Sequence, residues 1–272
     1  MTLGRRSALG FLGASMVSAL VACSAPDGPS APEPTAAPST AGPVRPGRLQ
    51  SPLLPDESPA RRPRAQFTPD FKLPPVQNGL APVITKIETK NPVVFLTIDD
   101  GVTRTPEMVR LLAEYDYPVS LFLTRNFVQA DPGFFKRFAA QGSLVENHTV
   151  THNINMVSQM GYQQQLAEIN GMQDYAQQQF GRRPTLFRPP GGAYSTVMRQ
   201  AVAAAGMKAI VTWEAKSNVG HMDYQYGKAL RPGDIVLMHF RPEFAADLAA
   251  FRAAQQAAGL EVVLLEDFLG VA

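Results

Sequence analysis

The run Thr97-Ile98-Asp99-Asp100-Gly101 follows the apolar stretch Pro92-Val93-Val94-Phe95-Leu96, which sets two adjacent carboxylates at the end of a strand-like segment. Side chains alternate between faces along a strand, so the spacing predicts that Asp99 and Asp100 point apart and do separate jobs. One would bind a metal and the other would take a proton. Farther along, Asn147-His148-Thr149-Val150-Thr151-His152 supplies two histidines at i, i+4. Such a pair converges on one ion if the segment is helical or tightly turned. A carboxylate pair together with this histidine pair is the raw material of a metal-dependent hydrolase. The chain has 4 His in all. Of the other two, His221 sits in a polar stretch and reads as solvated. His239 ends the apolar run Ile235-Val236-Leu237-Met238, where by itself it is as readily a core-edge residue bonded to a carbonyl.

Between these lies Phe187-Arg188-Pro189-Pro190-Gly191-Gly192-Ala193-Tyr194. Two prolines fix a rigid turn and two glycines leave backbone N–H groups approachable, so an N–H there can face an oxyanion. Arg188 can hold a nearby Asp ionised through a charge-assisted hydrogen bond. The bland alternative is a Pro-Gly surface turn with a solvated Arg. Trp213 suits stacking on a sugar face or an acetyl methyl, and suits core packing equally well.

These residues need a scaffold, and the chain from residue 76 onward provides a pattern for one. Strands are expected at Val83–Ile87, Val93–Ile98, Val119–Leu123, Leu186–Phe187, Ala209–Trp213, Ile235–Met238 and Val262–Leu265. Helices are expected at Thr105–Glu114, Pro132–Ala140, Tyr162–Phe180, Ser195–Ala205 and Phe244–Ala258, several stopped by Gly. Strands alternating with helices indicate a single α/β domain, 76–272, with mainly parallel strands. Asp99-Asp100, His148, Arg188, Trp213 and His239 all fall at strand C-terminal ends, where barrel-type α/β enzymes keep their chemistry.

The formal net charge of +2, with no basic stripe among the aromatics, excludes nucleic acid as a natural partner. At the N-terminus, Arg5-Arg6 precede the apolar run Leu9–Ala22, which is too short to span a bilayer and reads as a signal peptide over 1–22. Leu20-Val21-Ala22-Cys23 resembles the lipobox of bacterial lipoproteins, which implies that Cys23 is lipidated. The protein is then expected to be exported, by a Sec or twin-arginine route, and held on the outer face of the cell membrane. Cys23 is the only Cys, so no intrachain disulfide can form. Of the 24 Pro, 14 lie between Pro26 and Pro75, and residues 23–75 are therefore expected to be a disordered tether from membrane to domain.

Taken together, the site residues resemble the polysaccharide deacetylase family, carbohydrate esterase family 4. The resemblance covers residues 83 to 268 and rests on Thr97–Gly101, His148–His152, Arg188–Gly192 and Ile235–His239, in that order. It implies a distorted (β/α) barrel with the site at the strand C-terminal ends. It also implies that Asp100, His148 and His152 hold one divalent metal, usually zinc, with cobalt or another ion possible. Asp99 would be the general base, oriented by Arg188, and His239 the general acid. The N–H of Gly191 and the metal would stabilise the oxyanion as an N-acetyl group leaves an envelope polysaccharide such as peptidoglycan. A same-fold hydrolase acting on another amide or O-acetyl ester, or a non-catalytic glycan-binding lipoprotein, are the alternatives. The chain departs from the family pattern twice. Lys216 stands where an Asp usually buttresses the acid His, which leaves Glu214 or Asp223 as substitutes, and Gly191 replaces a frequent aromatic.

Overall fold

The strand that carries the carboxylate pair, β2 (Val93–Asp100), is buried along its whole length, because its alternation serves two apolar layers. Val94, Leu96 and Ile98 pack outward with Met108, Leu112 and Phe251, whereas Val93 and Phe95 face inward with Phe122, Leu186 and Phe268. The computed structural model describes residues 67–272. The expected signal peptide over 1–22, the lipidation at Cys23 and most of the expected tether lie outside the described residues.

Around β2 the other strands are β1 (Val83–Ile84), β3 (Ser120–Leu123), β4 (Leu144–Asn147), β5 (Leu186–Phe187), β6 (Ala209–Val211), β7 (Ala215–Asn218), β8 (His221–Tyr224), β9 (Ile235–His239) and β10 (Glu261–Val262). They form one 10-stranded sheet in the order β1-β6-β5-β4-β3-β2-β9-β7-β8, with β10 beside the start of β2. Every pairing between named strands is parallel except β7–β8. A bridge from Lys86 to Asp234 joins the β1 margin back to the start of β9. The sheet is thus the expected distorted barrel of mainly parallel strands. Helices α1 (Pro106–Glu114), α2 (Arg125–Val128), α3 (Pro132–Ala140), α4 (Met156–Gln159), α5 (Tyr162–Phe180), α6 (Thr196–Ala204), α7 (Phe244–Ala257) and α8 (Leu265–Leu269) accompany it. Asp131 caps α3 through Phe134 N at 3.1 Å and Ser195 caps α6 through Met198 N at 3.2 Å.

Three expectations are corrected. The strand expected over Val262–Leu265 stops at Val262, and α8 begins at Leu265. Leu265, Phe268 and Leu269 recur at helical spacing and bury together in the barrel floor, which a strand would split between two faces. The polar stretch around His221, read as solvated, belongs to a hairpin over Ala215–Tyr224 turned by Val219-Gly220, both at positive φ (52° and 74°). His221 accordingly lies on a strand, though it stays exposed. Finally, the tether boundary at residue 75 falls inside the fold. Phe67, Phe71 and Leu73 pack against the inner core at the strand N-terminal ends, and Asp70 accepts hydrogen bonds from Thr89, Lys90 N and Asn91. Two phenylalanines within five residues supply the apolar surface that the prolines lack.

β9 is aimed by the turn ahead of it. Gly233 has φ 83° and its carbonyl accepts from Ile87 N at 2.9 Å, so the two backbones touch. A Cβ there would lie 1.8 Å from the Ile87 carbonyl oxygen. Gly233→Ala is expected to cost about 3 kcal/mol or more, measured by urea denaturation. An unchanged midpoint would show that this contact does not set the strand.

Candidate metal and catalytic centre

Asp99 continues the inward face of β2, but Asp100 does not continue the outward one. Its φ is 79°, which breaks the alternation and swings its carboxylate back toward the mouth of the barrel. The expectation that the pair would point to opposite faces is therefore corrected. His148 Nε2 lies 3.7 Å from Asp99 Oδ2 and 3.6 Å from Asp100 Oδ1, so both carboxylates meet the same imidazole.

The two histidines converge without a helix. Thr149 and His152 have φ of 72° and 58°, giving a tight turn after β4. Left-handed geometry at non-glycine residues costs about 1–3 kcal/mol each and persists only where the surroundings hold it. Here they do. Thr149 N donates to Asn147 Oδ1 at 2.9 Å and His152 N to Thr149 Oγ1 at 3.1 Å. Glu168 accepts from Val150 N at 3.1 Å and Thr151 N at 2.9 Å. Thr124 Oγ1 donates to the His148 carbonyl at 2.9 Å, and the Phe127 ring stands 5.5 Å from that of His152.

Asp100, His148 and His152 each offer one ligand atom, and these atoms all lie within 4.8 Å of one another. His148 Nδ1 is 2.7 Å from the Arg188 carbonyl, so it carries the proton and leaves the Nε2 lone pair facing inward. Burial pulls the His148 pKa down to about 3, keeping the ring in the neutral form that ligation needs. Burial would raise Asp100, but the facing histidines outweigh it and hold the carboxyl below its ordinary value. Asp100 Oδ1 is buried without a hydrogen-bond partner, although His152 Nε2 stands 3.0 Å away. An ionised oxygen left bare among two imidazoles, one carboxylate and two nitrogen donors in all, suits a divalent cation such as zinc.

Arg188 is wholly buried. Its Nη1 donates to Asp99 Oδ1 and to Thr97 Oγ1, both at 2.7 Å. Nε and Nη2 reach the carbonyls of Val211 and Thr212 at 3.2 and 3.1 Å, and the guanidinium covers the Phe122 ring at 4.2 Å. Burial pushes the Asp99 carboxyl above its ordinary pKa, and Arg188 and His239 oppose that push. The sequence reading missed Thr97, although its place two residues before Asp99 sets it on the same inward face.

His239 ends β9 directly opposite Asp99 in register. Burial lowers its pKa, with Arg241 and His148 adding to the effect and Asp99 and Asp100 opposing it. Neither expected substitute for the missing Asp reaches it. Glu214 pairs with Arg231 at 2.6 Å, and Asp223 pairs with Lys216 at 3.3 Å. Trp213 is half-buried and its ring abuts the turn after β5, where a Cβ on Gly192 would come 2.7 Å from the ring. Its ring centre is 5.9 Å from the Arg188 guanidinium. Gly191, at φ 68°, sits beside Ile154 from the histidine loop.

Residues 86–210 match the profile of a family described as polysaccharide deacetylase. An uncharacterized protein of Streptomyces coelicolor is 40% identical over 173 residues, 63% of this chain and 69% of that protein. A chitooligosaccharide deacetylase of Sinorhizobium fredii is 30% identical over 160 residues, 56% of this chain and 73% of that one. In fold, the chain is similar to a family 4 carbohydrate esterase pseudoenzyme from Bacillus anthracis, with a TM-score of 0.59 at 19% identity over 70% of this chain and 69% of that one.

The Arg188–Asp99 pair yields a stability prediction. Arg188→Met strands a buried carboxylate and is expected to cost about 3–5 kcal/mol in urea denaturation, with Arg188→Lys recovering only part. A loss under about 1 kcal/mol would mean that the pair does not hold the barrel mouth together.

Proposed function

Because the chain belongs to the polysaccharide deacetylase family, we propose that it is a metal-dependent hydrolase that removes N-acetyl groups from an envelope polysaccharide such as peptidoglycan. One observation carries this reading: Asp100, His148 and His152 converge at the barrel mouth while Asp99 and His239 face each other on adjacent strands. Asp100, His148 and His152 would hold a divalent ion, zinc by preference of the donor set. Bound there, such an ion supplies Lewis acidity for an acetamide carbonyl and for water.

The residues of the chain divide the proton work. Arg188 fixes Asp99 Oδ1, and Oδ2 on the His148 side takes the proton from the attacking water. The backbone N–H of Gly191, opposite the histidine loop, is the proposed donor to the developing oxyanion. His239, in register with the base on the adjacent strand β9, gives its proton to the leaving sugar amine, and acetate departs. Trp213, laid against Gly192, walls the acetyl side.

The same groups fix the pH response. Asp99 works ionised, so activity rises as pH passes through its raised pKa. His239 works protonated, so activity falls as pH passes through its lowered pKa. The expected profile is a narrow bell that peaks below about pH 7, measured as acetate release from peptidoglycan and chitin oligomers by the metal-loaded protein. A maximum on the alkaline side would contradict the assignment of the acid. Asp99→Asn is expected to lower kcat by at least about a hundredfold while metal binding persists. Acetate release at the wild-type rate in that variant would overturn the mechanism.

One observation favours a second reading, a glycan-binding protein without turnover. Among the described residues no carboxylate hydrogen-bonds the His239 ring, and Lys216 stands where the family usually has Asp. Sugar binding without acetate release, with zinc, cobalt or manganese supplied, would select it.

We also propose that the protein is exported and anchored to the outer face of the cell membrane through a lipid on Cys23. The lipobox-like Leu20–Cys23 and the preceding Arg5-Arg6 support this. Fatty-acid labelling in a bacterial host is expected to mark the wild type and not Cys23→Ala. Equal labelling of both would reject the anchor.

A further inference from the structure

Two guanidiniums stand at the mouth of the barrel with no carboxylate partner among the described residues. Arg241, in the loop leaving β9, is exposed, and its Nη1 donates to Asn218 Oδ1 at 3.3 Å. Asn218 is the last residue of β7, so the bond holds Arg241 over the hairpin side of the mouth. Arg104, in the loop leaving β2, is half-buried and donates through Nη1 to the carbonyls of Gly101 at 3.2 Å and Phe127 at 2.6 Å. The two loops are tied together, Thr103 N donating to the Phe240 carbonyl at 3.1 Å. Both therefore follow directly from the strands that end in Asp100 and His239.

The nearby acids are otherwise engaged. Asp223 is paired with Lys216, Glu214 with Arg231, and Glu168 with the histidine loop. Glu243, two residues beyond Arg241, is exposed, and no ion pair among the described residues joins the two. A lone exposed Arg is ordinary surface. Arg241 differs in its place: its backbone N donates to the His239 carbonyl at 3.0 Å while its guanidinium is tied to the end of β7. A carboxylate accepts two parallel N–H bonds from a guanidinium, which an uncharged chitin chain cannot match.

We propose that Arg241, with Arg104 as a second positive charge on the adjoining loop, selects glycans that carry a carboxylate beside the acetamido group to be cleaved. This rests on the hydrolase reading above and narrows its substrate class to acidic N-acetylated glycans.

The test compares two probes of four sugars each: a peptidoglycan tetrasaccharide stripped of its peptides, which leaves its lactyl carboxylates free, and chitotetraose, which carries none. Steady-state kinetics and binding titrations followed by NMR are run on the metal-loaded wild type, Arg241→Gln and Arg241→Lys. The wild type is expected to prefer the acidic probe, and the preference shrinks as salt is raised. In Arg241→Gln the ratio of kcat/KM values, acidic over neutral, is expected to fall about tenfold, through KM more than kcat. Arg241→Lys recovers part of it. An unchanged ratio in Arg241→Gln, or a wild type with no acidic preference, overturns the proposal. If neither probe is turned over, the hydrolase reading fails and the titrations decide. Acidic-selective binding that is lost in Arg241→Gln upholds the role of Arg241, and indifferent or absent binding rejects it.

Discussion

A guanidinium sealed away from water governs this molecule. Arg188 has no exposed surface, and moving its charge out of water costs several kcal/mol, so each of its donors must be satisfied where it lies. The partners come from the ends of β2 and β6, and the Phe122 ring of β3 lies beneath. The carbonyl of the same residue accepts the hydrogen bond of His148 Nδ1. One residue thus sets the direction of the base with its side chain and the tautomer of a metal ligand with its backbone. Neither could shift without leaving a buried polar group bare. The Pro-Pro-Gly-Gly turn just after it keeps the chain from relaxing in any other direction.

Around that fixed point the backbone is bent where the chemistry is. Six non-glycine residues among those described have positive φ, and Asp100, Thr149 and His152 are three of them. Such bends are invisible to pattern reasoning. Alternation along β2 foretold the inward face of Asp99 and failed one residue later at Asp100, because the rule presumes an extended backbone. The ligand set itself was legible, since carboxylate and imidazole spacing speaks directly of coordination. The support beneath it was less so. Asn147, Thr149, Thr124 and Glu168 are unremarkable polar residues until the loop is folded, and their roles arise from bonds between positions far apart in the chain.

The scaffold was legible to a similar depth. Long periodic segments such as α5 and α7 and the all-apolar body of β2 announced themselves, and with them the parallel α/β plan. The misreadings share one cause, that composition was weighed over geometry. The hairpin carrying Lys216 and Asp223 lies at the sheet margin and is partly polar, so its strands gave no apolar signal and the stretch around His221 read only as solvated. The proline-rich stretch before residue 76 hid Phe67 and Phe71, whose burial needs a core that only distant strands create. At His239 the sequence did flag the departure, but only the ion pairs of Glu214 and Asp223 showed that neither residue takes the vacated role.

Those early phenylalanines also give the molecule a heading. They enter at the end of the barrel where β2 begins, and β2 then runs eight residues, about 23 Å, to the carboxylates at the other end. The first described residues therefore pack at the pole opposite the mouth, the length of β2 away from the carboxylates. A change at that pole, in Phe67 or Phe71, can loosen the floor of the barrel and still reach the carboxylates only along the whole of β2.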